Sequence, residues 1–188
     1  MKLLIINGSL GGAGGNTAVM LRRMERELSP HAELRTLHLA AEGSIRAEEL
    51  LAWCDGIVCA TGTYWDSWGS PLQKFLEDLT GSEATALWLG KPAAVLVTMH
   101  SVGGKGVLSR LQGVLNTLGC SIPPMSGFVY SLSNQLALET ESDFAADFWQ
   151  LDDLRPVAEN LRRATAARIA CEAWPVDRED PRRRWISN

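Results

Sequence analysis

A doubly wound α/β fold built on a parallel sheet is what this sequence predicts, and three observations predict it. Short, solidly apolar runs alternate with longer stretches whose apolar residues recur at helical spacing, the pattern of strands buried on both faces and joined by helices. Glycine-rich segments follow two of those runs and open directly into helices. At 188 residues the chain has the length of one core, and no linker-like composition divides it. Right-handed crossovers then force a sheet wound in both directions from its middle, which holds ligands beyond the carboxyl ends of the strands where the order reverses.

The elements follow in order. Lys2 to Ile6 reads as a buried first strand, followed by a glycine-rich loop and a helix with Ala18, Leu21, Met24 and Leu28 on one face, closed by Ser29-Pro30. Glu33 to Leu39 is more polar and is expected at a sheet edge. Ser44 reads as the cap of a helix carrying Ile45, Leu50, Leu51 and Trp53, and Gly56 to Thr61 as a central strand. A third helix starts at Ser70-Pro71, where serine caps and proline suits the first turn, and buries Leu72, Phe75, Leu76 and Leu79 before Thr80-Gly81 ends it. Pro92 to Thr98 is the fourth strand. Gly103-Gly104-Lys105-Gly106 leads into a helix with Val107, Leu108, Leu111, Val114, Leu115 and Leu118, stopped by Gly119. Gly127 to Ser131 is a short fifth strand, and Asp152 to about Ala173 a closing helix through Leu154, Val157, Leu161 and Ile169. Residues 1–173 are therefore expected to form one domain, and 174–188 a charged tail that is loose or tied down by Trp185. The stretch from Leu132 to Leu151 follows no period.

Composition removes several classes of function. With 46% hydrophobic and 21% charged residues the chain is an ordinary globular one, and no apolar run reaches the length of about 18 residues that a membrane span needs. The opening Met1-Lys2-Leu3-Leu4-Ile5-Ile6 imitates the start of a signal peptide but stops at Asn7, so a cytoplasmic protein is expected. A net charge of −4 argues against a nucleic-acid partner, and Arg182-Arg183-Arg184 is too short a run to reverse that. Cys54, Cys59, Cys120 and Cys171 show neither C-x-x-C spacing nor histidine pairing, so no metal site is expected and the thiols read as free.

Three loops, at residues 7–17, 61–70 and 99–106, fall where ligands belong. The first, Asn7 to Thr17, joins a buried strand to a helix, so its amides converge on the positive end of the helix dipole and form an anion nest. Its glycines, Gly14 and Gly15 among them, let the chain wrap closely, while Ser9, Asn16 and Thr17 add side-chain donors. The loop holds no Lys or Arg and no Gly-Lys-Ser/Thr end, and Thr17 stands where the dinucleotide fingerprint needs glycine. A monophosphate held by neutral donors fits best. The second loop brings Tyr64, Trp65 and Trp68 to the mouth of the crevice, which calls for a flat ligand or a partner subunit unless the tryptophans pack on a neighbouring helix. The third offers His100, Ser101 and the amides of Gly103 and Gly104, with a structural role for the histidine still open.

Together these segments resemble the NAD(P)H-dependent FMN reductase family of flavodoxin-like proteins, which includes quinone, azo-dye and metal-ion reductases. The resemblance rests on Gly8-Ser9 through Asn16-Thr17 after the first strand, Thr63-Tyr64-Trp65-Asp66-Ser67 with Phe75-Leu76-Glu77 following, and Gly90-Lys91-Pro92 ahead of Gly103-Gly104, and it spans about residues 1 to 130. It implies a three-layer sandwich around a five-stranded parallel sheet of order 2-1-3-4-5, and bound FMN with NAD(P)H as co-substrate. Three departures stand out: Gly11 replaces a common arginine, Gly62 a frequent proline, and Asp66 a common glycine. Asp66 close to the ring would disfavour an electron-rich flavin, so it is expected to point away or to shape substrate choice.

The activity implied is ping-pong transfer of hydride from NAD(P)H to FMN and on to a quinone, flavin or similar small acceptor, the flavin carrying the chemistry. The resemblance assigns flavin contacts to Ser9, Gly14, Gly15, Asn16, Thr17, Thr63, Tyr64, Trp65, Ser67, His100, Ser101, Gly103 and Gly104, with no side-chain acid, base or nucleophile required. His100 and the amides of Gly103 and Gly104 would face the edge where negative charge gathers. A homodimer or homotetramer is expected, since family members complete their sites across an interface. Three rivals stay open at this point: a one-electron carrier without a nicotinamide site, a hydrolase using Ser9 or Ser101 with His100, and a binding module that has lost its flavin. The hydrolase lacks a G-x-S-x-G elbow.

Overall fold

The computed structural model describes residues 1–140, 143–177, 184 and 186. The first strand, β1 (Lys2–Asn7), sends Leu3 and Ile5 into one core and Leu4 and Ile6 into another. The period of two is present, but because both faces are buried the run reads as solidly apolar. Helix α1 (Asn16–Leu28) follows, then β2 (Glu33–His38), in which only Leu37 is fully buried. Next come α2 (Leu39–Glu42), α3 (Ala47–Trp53), β3 (Gly56–Gly62), α4 (Ser70–Asp78), β4 (Ala93–Met99) and α5 (Gly104–Leu118). The chain continues through β5 (Gly127–Ser131), α6 (Leu132–Leu138) and α7 (Leu154–Ala167).

All five strands are parallel, in the order β2-β1-β3-β4-β5, as expected. The order reverses between β1 and β3, so their carboxyl ends open a crevice. Leu3, Ile5, Val58, Ala60 and Leu96 pack against α1 and α7, while Leu4, Ile6, Ile57, Cys59 and Val95 pack against α3, α4 and α5. Register places Asn7 beside both His38 and Ala60, Gly62 beside Thr98, and Met99 beside Ser131, which lines up the carboxyl ends of the five strands.

Several local expectations are corrected. Ser44 does not cap the helix that follows. α3 begins at Ala47, Ile45 is 94% exposed, and the Ser44 hydroxyl donates to the Asp78 carboxylate, because the chain leaves β2 through α2 and reverses at Gly43 before α3 begins. At α4 the capping position belongs to Gly69, not Ser70, since a Cβ there would lie 2.6 Å from the Gly8 carbonyl oxygen and the Gly69 amide is needed by Thr61 Oγ1. The closing helix is shorter than its apolar spacing suggests: it ends at Ala167, Arg168 turns left-handed at φ +44°, and Ile169 is exposed. Trp185 lies outside the described residues; Trp174 donates its indole N–H to Glu83 at 3.3 Å. The stretch that follows no period contains α6 and two single turns of 3₁₀ helix, Ala145–Asp147 and Leu151–Asp153, each too short for periodicity to register.

Three of the four thiols, Cys54, Cys59 and Cys120, are buried in the sheet's core and Cys171 is exposed; all are free. Burial pushes the Cys59 thiol up to about 12. Desolvation raises Cys54 and Cys120 as well, against a smaller opposing pull from the Lys91 ammonium.

Candidate functional site

The first loop closes on itself through two glycines. A Cβ on Gly11 would lie 2.9 Å from the Gly15 Cα, and one on Gly15 3.0 Å from the Gly11 Cα, so neither position admits a side chain without moving backbone. The chain then enters α1 with Gly15 at the capping position and no side-chain cap. Among the described residues no protein group accepts from the amides of Gly15, Asn16 or Thr17. An uncapped helix head of this kind presents converging N–H groups and the positive end of a dipole. Ser9 and Thr17 are buried beside it, and the Thr17 hydroxyl shares a 2.8 Å hydrogen bond with that of Thr98 at the end of β4.

The second loop makes a hairpin turn in which Tyr64 and Ser67 exchange backbone hydrogen bonds of 2.8 and 2.9 Å. Its two central residues, Trp65 and Asp66, both sit in the left-handed region, at φ +49° and +56°. The Tyr64 ring lies over Gly62, and its hydroxyl takes the Leu10 amide at 3.2 Å and meets the Ser9 hydroxyl at 3.1 Å, so the second loop is anchored in the first. The indole of Trp65 is fully exposed, whereas Trp68 is partly covered, with the Arg110 guanidinium over its ring and its N–H on Gln73. Asp66 braces the third loop: its carboxylate packs so tightly on Gly103 that a Cβ there would meet Oδ1 at 2.1 Å, and its carbonyl accepts from Arg110.

Between these loops and β5 lies a crevice of about 570 Å³. Of the residues the sequence singles out, Ser9, Gly15, Asn16, Thr17, Thr63, Tyr64 and His100 line it. Gly14, Trp65, Ser67, Ser101, Gly103 and Gly104 do not. Ser67 is taken up by the hairpin, and the Gly104 amide is occupied at 3.2 Å by the Met99 thioether. The far wall, from Thr98, Tyr130, Gln135 and Leu151, was not legible in the sequence, although the hydroxyl ending the apolar run at Thr98 was a usable signal. Among the described residues no Asp, Glu, Lys or Arg lines the crevice, so those residues offer no carboxylate–lysine or carboxylate–arginine pair there, and an anion would be met by their neutral donors. Among the described residues no group of three or more His, Cys, Asp or Glu could hold a metal.

The residues fit a flat ligand with a phosphate tail. Free amides at the head of α1 suit the tail, and Thr63, whose hydroxyl is buried with no hydrogen-bond partner among the described residues, lines the space the body would fill. A buried hydroxyl left unpaired costs about 1–3 kcal/mol, which a ligand acceptor or donor removes.

Comparison with solved structures gives the same architecture. The apo form of an NADH:FMN oxidoreductase, EMOB, superposes with a TM-score of 0.67 at 21% identity, covering 87% of this chain and 89% of that one. FerB, a flavoenzyme NAD(P)H:(acceptor) oxidoreductase from Paracoccus denitrificans, gives 0.65 at 16% identity over 89% and 98% of the two chains. A flavodoxin from the domain Archaea gives 0.64 at 12%, over 88% and 99%. Comparison with curated protein sequences gave no match. Fold and crevice thus define an α/β protein of flavodoxin-like architecture with an open crevice at the carboxyl ends of its strands. Residues 1–135 match the family described as NADPH-dependent FMN reductase, and the chain belongs to that family, with FMN as cofactor and NAD(P)H as electron donor. No helix among the described residues is long and apolar enough to cross a membrane.

Proposed function

We propose that this reductase passes reducing equivalents from NAD(P)H to a quinone, flavin or similar small acceptor by a ping-pong cycle in which donor and acceptor occupy the same crevice in turn. The observation that carries the reading is the uncapped head of α1, whose free amides at Gly15, Asn16 and Thr17 open into a crevice lined, among the described residues, by no carboxylate, lysine or arginine. Bound FMN would supply the hydride chemistry. The amides, with the Ser9, Asn16 and Thr17 side chains, would hold the phosphate, and the unpaired Thr63 hydroxyl, Tyr64 and His100 would fix the ring edge. Gly14, Trp65, Ser67, Ser101, Gly103 and Gly104 would act from behind or at the rim, shaping the walls or meeting the co-substrate. With no acid–base pair in the crevice, the protein's part is to orient donor and acceptor and to exclude competing geometry.

Trp65, fully exposed at the rim, supports a second proposal, that two copies meet over the crevice. Free thiols support a cytoplasmic location. The test is initial-rate kinetics of the yellow holoenzyme with NADPH or NADH against a benzoquinone: parallel double-reciprocal lines are expected. Intersecting lines would overturn the ping-pong order, and a flavin that stays oxidised when mixed with either nicotinamide would overturn the reductase reading.

A further inference from the structure

We propose that His38, on the edge strand and outside the crevice, is a positioning residue for the phosphate loop, acting through the buried side chain of Asn7. The inference rests on the phosphate-loop reading above and adds the residue that holds that loop in shape.

Asn7 ends β1 and is fully buried; in the sheet register it stands beside His38, the last residue of β2. Its side chain makes three contacts. Oδ1 accepts from the Ser9 amide at 3.2 Å, Nδ2 donates to the Gly12 carbonyl at 2.8 Å, and Nδ2 lies 3.2 Å from His38 Nδ1. The orientation of the amide is fixed by its backbone partners, because the Ser9 N–H can only donate and the Gly12 carbonyl can only accept. The Nδ2 group therefore faces His38, and since it has no acceptor capacity, His38 Nδ1 must offer its lone pair and the ring proton must sit on Nε2. Each Asn7 N–H then has a partner: one holds Gly12, the other is held by His38.

What Asn7 grips is the bend of the loop. Gly12 is left-handed at φ +50° and opens the single 3₁₀ turn, Gly12–Gly14, that delivers the chain to the free amides at Gly15, Asn16 and Thr17. The Ser9 amide, on the other arm of the bend, is held by the same side chain. His38 is itself fixed from behind, its backbone amide donating to Glu42 Oε1 at 2.9 Å. Edge strand, Asn7 and phosphate loop are thus one hydrogen-bonded chain, and loss of the imidazole acceptor leaves a buried Asn7 N–H unsatisfied at the point that sets the loop's curvature.

The test compares two nearly isosteric variants. In His38→Asn, Oδ1 takes the place of Nδ1 and keeps an acceptor; in His38→Leu a methyl group takes it and does not. Full-length protein freed of flavin is titrated with FMN and, separately, with riboflavin, which lacks the phosphate, and its melting temperature is recorded. For His38→Leu the FMN Kd is expected to rise about tenfold while the riboflavin Kd stays within about twofold, the loss of one partly buried hydrogen bond felt only through the phosphate loop. His38→Asn should stay within about twofold of wild type for both ligands, and in an Asn7→Ala background His38→Leu should add no further loss. An unchanged FMN Kd in His38→Leu, or an equal weakening of FMN and riboflavin, overturns the relay while leaving the phosphate-loop reading in place. Wild-type protein that binds FMN no more tightly than riboflavin overturns the phosphate-loop reading, and the relay with it.

Discussion

The first and second loops both bend sharply beside the crevice, and they do so with opposite chemistry. In the first loop the bend falls on glycines: Gly12 takes the left-handed conformation, and Gly11 and Gly15 touch backbone to backbone. In the second, Trp65 and Asp66 take the left-handed positions that hairpin turns reserve for Asn-Gly. Each such residue costs about 1–3 kcal/mol and persists only where its surroundings over-determine it. Here the Tyr64–Ser67 hydrogen bonds, the packing of Asp66 on Gly103, and Arg110 do so. The wall made by the glycine-rich loop is built without strain. The wall that presents an indole to solvent at the rim carries strain, because a side chain has to stand where conformational ease would put glycine.

The largest expected effect tests the unstrained wall. Gly15→Val places a branched side chain against the Gly11 backbone, and the FMN Kd should rise by at least about a hundredfold by fluorescence titration, in line with the 1–3 kcal/mol or more that overpacking costs. Unchanged binding would mean that the loop bends elsewhere. Next in size, Asn16→Ala with Thr17→Ala should release FMN, with a Kd about tenfold to a hundredfold higher, while far-ultraviolet circular dichroism stays native. Flavin retained through desalting would count against the assignment of this loop.

The strained wall is tested in the opposite direction. Asp66→Gly relieves one left-handed side chain and should stabilise the protein by about 1 kcal/mol, or roughly 2–4 °C in Tm for a chain of this size. A lower Tm would show that the Asp66 contacts with Gly103 and Arg110 outweigh the strain they oppose. The smallest effect checks that both loops rest on the same closed sheet. With Cys59 pushed to about 12 and Cys54 and Cys120 also raised by burial, iodoacetamide at pH 8 should label Cys171 alone in native protein and all four thiols after denaturation. Fast labelling of Cys59, which lies on β3 beneath the second loop, would mean that the loop opens the core.

The strands were legible within a residue or so because Ile5-Ile6, Val58-Cys59 and Val95-Leu96 are apolar on both faces, a pattern a single buried sheet imposes directly. The capping roles expected of Ser44 and Ser70 fail for one reason, while the helix start at Ser70 holds: a serine before an apolar stretch signals a cap only when nothing distant claims the position. Asp78 claims Ser44, and the closeness of Gly8 to Gly69 moves the cap one residue earlier. In the crevice, Ser9 to Thr17 could be found from local glycine and hydroxyl spacing, but Gln135 and Leu151 reach it from a short helix and a 3₁₀ turn that carry no period, and Tyr130 from a strand whose pattern does not mark it as a site residue.

By itself the sequence determined the sheet, its order through the resemblance, and a glycine-rich loop at the head of the first helix, because strand burial and a glycine-rich turn into a helix are local physics written in consecutive residues. Tertiary structure alone decided that Tyr64 anchors in the first loop, that Trp65 stands in solvent while Trp68 is partly covered, and that Asn7 joins His38 to the first loop. Those are contacts between residues 31 to 55 positions apart, and only the folded register brings the partners within hydrogen-bond reach.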